Sequence, residues 1–328
     1  MADPAVLRHV IDSITPASVA HGEAARQRAA LAGAPMLAQL AARLGAAQHT
    51  PRPRVTRRTV VVCAGDHGAG DPGITLGDAH PTVVAAYAIT TGTAALAQVA
   101  RAGRAPVLVV DAGAREPACM PTAALALGLR PSADFTAGPA GPAGPAMTIV
   151  DAALALEAGI ALAVSLQEGG LDVLAIGALG LGAELSSAAL LGAVTGVAPL
   201  HLGDPEAEAA GALGAAHRAS SGLELLATFG GPELGVLAGL LLAAASTNVP
   251  VILDGHATGA AALIAAAFAP DVTGYLIAAH LGSFTHPRIL AHLELHPIFE
   301  VGLGFGEGTG AAMLLPLLDQ VAALTDRG

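Results

Sequence analysis

Lysine is absent from the 328 residues: all 15 basic residues are arginine, set against 26 acidic ones for a net charge of −11. That absence excludes Schiff-base chemistry on a lysine and the lysine of a phosphate-binding P-loop. A nucleic-acid surface needs a basic stripe. The one basic cluster, Arg52 and Arg54 with Arg57 and Arg58, reads as a solvated loop before a strand. Tryptophan is also missing and aromatics make up 2%, so stacking platforms for bases are scarce. The two cysteines, Cys63 and Cys119, are too few for a disulfide framework and lack metal-ligand spacing. Both read as small buried residues. Charged residues amount to only 12% beside 53% hydrophobic, a balance that raises the question of membrane spans. The uncharged run from Leu234 to Leu253 is broken by Ser246-Thr247-Asn248 and Pro250. It reads as a buried helix turning into a buried strand, not as a span of about 20 residues. No positively charged start followed by an apolar signal core opens the chain. The expectation is a soluble, cytoplasmic protein with neither nucleic-acid nor membrane partners.

What is present is an alternation of apolar strands and helical runs. Residues 4 to 46 have helical periodicity with breaks near Pro16 and Pro35, and a Pro/Arg-rich linker, His49 to Arg58, follows. Strand patterns then occupy Thr59–Cys63, Pro106–Val110, Asp172–Ile176, Pro250–Leu253 and Gly274–Ala278. Helical patterns occupy 81–102, 148–167 and 233–247. The segment 137–145, a short Gly/Pro repeat, reads as a loop because collagen needs many more repeats. Such alternation indicates βαβ units. The expected fold is α/β, a Rossmann-like parallel sheet with helices on both faces, occupying residues 59–300. Residues 1–50 and 301–328 are expected to supply a small helical domain from both chain ends. In open parallel sheets ligands bind beyond the C-terminal strand ends. Here those ends carry Asp66, His67 and Gly68, then Asp111, then Gly177-Ala178-Leu179-Gly180-Leu181-Gly182, then Asp254 with His256, and His280. The 177–182 pattern is a weak phosphate-loop signal by itself, and the acidic residue of a dinucleotide fingerprint is not found after it.

Near the C-terminus one carboxylate, Glu307, sits among five glycines: Gly302, Gly304, Gly306, Gly308 and Gly310. An apolar helical run from Ala311 to Leu324 follows. Such a loop lets the backbone approach a ligand and offers N–H groups to an anion, and its carboxylate is a candidate general base. The alternative is a Glu that merely complements a helix dipole. Asp66 and Asp254 orient a ligand or satisfy backbone N–H groups of their own turns. His256 reads as a cap or solvent-facing residue. His280 and His286 are candidates for phosphate contact, with a hydrogen-bonded structural role as the alternative. None of the 12 histidines shows a zinc-motif spacing, so no metal is expected.

These loops together resemble the nicotinate-nucleotide:dimethylbenzimidazole phosphoribosyltransferases of cobalamin lower-ligand synthesis. The resemblance runs from about residue 59 to the end. It rests on Ala64-Gly-Asp-His-Gly68, Gly144-Pro-Ala-Met-Thr148, Leu156-Glu-Ala-Gly-Ile160, Ala175–Gly182, Gly230-Gly-Pro-Glu233, Leu253-Asp-Gly255 and Leu303–Ala312 followed by Leu314–Leu318. It implies a homodimer without a cofactor. It also implies transfer of the phosphoribosyl group of nicotinate mononucleotide to a benzimidazole-like acceptor, giving an α-ribazole-phosphate-type product. Glu307 falls at the position of the general base. Asp66, His67, Gly68, Thr75, Gly177, Gly180, Gly182, Asp254, His280, Gly306, Gly308, Thr309 and Gly310 fall at substrate-binding positions.

The chain also departs from the family pattern. Where the family reads Gly-Glu-Met-Gly-Ile-Gly-Asn-Thr-Thr, the second acidic residue is Ala178 and the Asn-Thr-Thr is Ala183-Glu184-Leu185. A glutamate at a phosphate-facing position repels phosphate unless the loop is rebuilt, and the family's phosphate-side lysine has no counterpart. Residues near the benzimidazole become Thr75, Gly77, Asp78 and Val84, and Ala279–Pro287 replaces another family stretch. Two readings follow: an enzyme with an altered acceptor, or a non-catalytic homologue that binds a ligand or serves as the degenerate half of a heterodimer.

Overall fold

The computed structural model describes residues 4–30, 34–69, 74–136, 144–217, 221–282, 285–303 and 306–326. Most of the Gly/Pro repeat therefore lies outside the described residues, as do Gly304 and Phe305. Among the described residues the chain runs α1 (Pro4–Ser13), α2 (Val19–Ala30), α3 (Pro35–Ala47), β1 (Arg58–Ala64), α4 (Pro81–Thr90), α5 (Ala95–Ala102), β2 (Val107–Asp111) and β3 (Leu125–Ala126). It continues through α6 (Ile149–Glu168), β4 (Val173–Leu179), α7 (Ala183–Thr195), α8 (Pro205–Ala216), α9 (Gly222–Phe229) and α10 (Pro232–Ser246). It closes with β5 (Val251–Leu253), α11 (Gly255–Phe268), β6 (Leu276–Ala278), α12 (His286–His292) and α13 (Thr309–Thr325).

All strand pairings in the sheet are parallel, in the order β3-β2-β1-β4-β5-β6. Successive strand residues point to opposite faces, and here each face has its own core. Val60, Val62 and Ala64 of β1, with Val173 and Ala175 of β4, join the core built with α2, α3, α4, α5 and α13. Val61 and Cys63, with Leu174 and Ile176, join the core built with α1 and α6 to α11. This double burial is why the strands read as continuous apolar runs. The α2–α3 pair meets α13, so helices from the two chain ends pack together, in a core continuous with one sheet face.

The abundance of Gly and Ala has a packing cause. A Cβ on Gly159 of α6 would strike the Val236 carbonyl oxygen of α10, and one on Gly239 of α10 would strike the Leu156 carbonyl oxygen of α6. The two helices thus approach backbone to backbone. By length and composition α6, at 20 residues, is apolar enough to cross a membrane; its buried residues, Ala152 to Ala163, form part of the core shared with α10.

Several expectations change. The run 81–102 is two helices, because the chain leaves the helix at Thr91 and Gly92 turns with φ +82°. The strand expected to end at Ile176 continues to Leu179, so Gly177 is a strand residue paired with Val62. A sixth, two-residue edge strand, β3, was not expected. Cys119 is exposed. The basic cluster is only partly solvated. Arg57 pairs with Asp172 at 2.8 Å, and Arg58, 6% exposed, reaches both Asp319 oxygens at 2.7 and 2.9 Å and the Leu315 carbonyl at 2.9 Å. The Arg58 guanidinium therefore pins α13 to the start of β1. Hydrogen bonds to charged groups contribute about 1.5–3 kcal/mol, and Asp319 keeps some contact with water. Arg58→Ala is expected to cost roughly 2 kcal/mol by urea melt; an unchanged midpoint would show that α13 is held by its apolar face alone.

Candidate active site

The order of strands reverses between β1 and β4, the crevice position at which open α/β sheets bind ligands. Above these two strand ends lies a cavity of about 280 Å³. Its wall comes from the start of α4 (Pro81, Thr82, Ala85), the end of β4 and its loop (Ala178 to Leu181), Ala183, His256 and Ala257 of α11, and Gly306-Glu307. The close approach of these loops needs glycine. Gly180 has φ +146° and any Cβ there would strike the Gly65 carbonyl oxygen, and a Cβ on Gly177 would strike the Glu307 backbone. The Ala178 N–H donates to the Gly306 carbonyl at 3.1 Å, so the strand end itself carries the Glu307 loop.

Glu307 is partly buried at the cavity wall, and among the described residues its carboxylate accepts no hydrogen bond. Burial first, and the Asp254 charge second, push its pKa above the usual carboxylate value. Asp254 is wholly buried behind it. One Asp254 oxygen accepts the Gly308 N–H at 2.6 Å, and the other lies 2.7 Å from Nε2 of His280. Burial opposes charge on His280, but Asp254 prevails and its pKa is raised. A Cβ on Gly310 would collide with this Asp254–His280 pair, which explains the glycine in the first turn of α13. Thr309 is buried there, with Oγ1 unpartnered among the described residues. His286 Nδ1 accepts the Gly282 N–H at 2.9 Å, and burial with the neighbouring His280 and His256 pushes its pKa down to about 3. It is a neutral, hydrogen-bonded residue.

Asp66 and His67 do not line the cavity; both are wholly buried beneath it. Asp66 accepts Thr82 Oγ1 at 2.6 Å, the Leu181 N–H at 3.0 Å and the Arg115 N–H at 2.8 Å. It satisfies donors on three other segments, not those of its own turn, and so joins the loops after β1, β2 and β4 to α4. His67 is held between Glu233 (2.5 Å) and Ser186 (2.8 Å). Asp111, by contrast, caps its own turn through the Gly113 and Ala114 N–H groups.

The expected substrate-binding set therefore divides. Gly180, Gly306 and Glu307 reach the cavity. Gly177, Asp254, His280, Gly308 and Gly310 form the layer behind Glu307, and Gly182 is the N-cap of α7 with φ +84°. Gly68 packs on the 133–134 backbone. Thr75 is exposed and is not among the residues that line the cavity. His256, expected as a cap or solvent-facing residue, is a wall residue whose Nδ1 lies 3.1 Å from Glu184. Among the described residues no three His, Cys, Asp or Glu side chains converge as a metal-ligand set.

A family model described as phosphoribosyltransferase matches residues 14–327. The chain belongs to this phosphoribosyltransferase family. It is 38% identical over 294 residues to a nicotinate-nucleotide–dimethylbenzimidazole phosphoribosyltransferase of Roseiflexus sp. strain RS-1, covering 84% of this chain and 80% of that one. It is 33% identical to the protein of that name from Chloroflexus aggregans, over 98% of each chain. The crystal structure of such an enzyme from Thermus thermophilus superposes with a TM-score of 0.78 at 30% identity, covering 99% of this chain and 97% of that one.

In this phosphoribosyltransferase two pairs were missed from sequence. Glu233 follows Gly231-Pro232 at the start of α10 and is wholly buried on His67; an acidic residue directly after Gly-Gly-Pro was the available signal. The Glu184–His256 pair had none, since 72 positions separate its members and only the fold unites them.

Proposed function

We propose that this phosphoribosyltransferase moves the phosphoribosyl group of nicotinate mononucleotide to a benzimidazole-like acceptor, with Glu307 as general base. The acceptor nitrogen attacks the anomeric carbon while the bond to nicotinate breaks. The departing pyridinium takes its bonding pair and leaves as neutral-ring nicotinate, so no general acid is required. The ribosylated azole then carries a positive charge and loses its N–H proton to Glu307, giving the α-nucleotide. The observation that carries this reading is a partly desolvated carboxylate without a hydrogen-bond partner among the described residues, at a cavity of about 280 Å³ beside the strand-order reversal. Burial suits such a group to take a proton near neutral pH.

The acidic limb of the pH profile tests this. Glu307 works ionised, and its pKa lies above the usual value. Activity should fall as pH drops, with a midpoint above the ordinary glutamate value of about 4.3. A kcat independent of pH across the range from about 4 to about 8 would exclude this base. The direct assay is incubation with nicotinate mononucleotide and 5,6-dimethylbenzimidazole, following nicotinate and α-ribazole phosphate by chromatography.

A second reading, a ligand-binding homologue without turnover, is favoured by one observation. Glu184 occupies the first turn of α7, and among the described residues no arginine lines the cavity to neutralise a phosphate. Nucleotide binding without turnover of any azole would select it. The family resemblance supports a homodimer, which sedimentation would test.

A further inference from the structure

His256 lines the same cavity as Glu307, is paired with Glu184, and has no part in the proton transfer above. Three elements build it. Glu184 projects from the first turn of α7, His256 from the first turn of α11, and Thr285 precedes α12 and donates its hydroxyl to Glu184 Oε1 at 2.5 Å. Glu184 Oε2 lies 3.1 Å from Nδ1 of His256. A carboxylate only accepts, so it favours the proton on Nδ1 and leaves a lone pair on Nε2. Burial lowers the His256 pKa, with Glu184 opposing and His67 adding to the fall, and the ring remains a neutral acceptor at neutral pH. Much of the surrounding wall is apolar, from Pro81, Ala85, Leu179, Leu181 and Ala257. A ligand that fills this cavity with methyl groups alone leaves the Nε2 lone pair desolvated and unpaired, which is unfavourable.

We propose that His256, positioned by Glu184, determines acceptor specificity: its Nε2 accepts a hydrogen bond from a hydroxyl or amino substituent on the azole, so the cavity prefers donor-bearing azoles to purely methylated ones. The proposal rests on the reading of this cavity as the acceptor site.

The test is calorimetric titration of the full chain with 5-hydroxybenzimidazole and with 5,6-dimethylbenzimidazole, beside the nicotinate-release assay. The wild type should bind the hydroxylated base roughly tenfold more tightly, the yield of one buried hydrogen bond made rather than lost. His256→Phe should abolish that ratio, and His256→Gln, which restores an acceptor oxygen, should recover part of it. Glu184→Leu should shrink the ratio, since the tautomer is no longer held. Because the readout is a ratio within each variant, a general loss of affinity does not imitate it. A wild-type ratio near one, or a ratio that survives His256→Phe, overturns the inference and leaves the transferase reading intact if nicotinate is still released. Failure of both bases to bind, with no release, overturns the transferase reading and this inference with it.

Discussion

Glu307→Gln is expected to lower kcat for phosphoribosyl transfer by about 10²–10⁴, the usual contribution of a positioned general base. Binding of the nucleotide should change little. The substitution keeps the shape of the side chain at the cavity wall and removes only its capacity to take a proton. The backbone contacts that carry the loop, Ala178 N–H to the Gly306 carbonyl and Gly308 N–H to Asp254, do not involve the Glu307 side chain. The fold and thermal midpoint should therefore be retained. Steady-state rates with calorimetry on the same preparation decide the matter. A variant with wild-type kcat would assign the proton to another acceptor, and one that no longer binds nucleotide would make Glu307 a binding group.

Asp66→Ala should produce the largest loss of stability. Its wholly buried carboxyl group accepts from the buried Thr82 hydroxyl and from the Leu181 and Arg115 N–H groups, which belong to partly buried residues. Each buried donor left without a partner costs about 1–3 kcal/mol. With partial recovery through water, a total of roughly 4 kcal/mol is expected in denaturant unfolding. Asp66→Asn should fall between. Its oxygen can serve Thr82 and Leu181, which share one carboxyl oxygen of Asp66, but its amide then sets a donor against the Arg115 N–H. Because Thr82 and Leu181 line the cavity, the milder variant should also weaken ligand binding. A melt of Asp66→Ala indistinguishable from wild type would refute the role of Asp66 as the junction of these loops.

The sheet was legible because its central strands are buried on both faces, which leaves unbroken apolar runs such as Thr59–Cys63 in the chain. β3 was not legible: two exposed residues, Leu125 and Ala126, carry no pattern. The helices α8 and α9 went unread, because Ala- and Gly-rich segments with few polar residues, Glu206, Glu208, Glu224 and Thr228, mark an exposed face only weakly. Gly177 illustrates a subtler limit. A glycine after an apolar run signals a loop, yet here the strand continues through it, because the Glu307 backbone crosses where a side chain would stand.

From the residues alone came the parallel α/β class, the exclusion of lysine chemistry, the Gly-rich loop bearing Glu307 and the family resemblance, each a local or ordered property of the chain. Only the tertiary structure separated the polar strand-end residues into a cavity wall and a buried support. Asp66 and His67 went beneath the cavity, Asp254 and His280 behind Glu307, and His256 to the wall beside Glu184. The reason is physical: whether a carboxylate is a base, a cap or a junction depends on which donors and charges surround it after folding, and those neighbours come from strands and helices far apart in sequence.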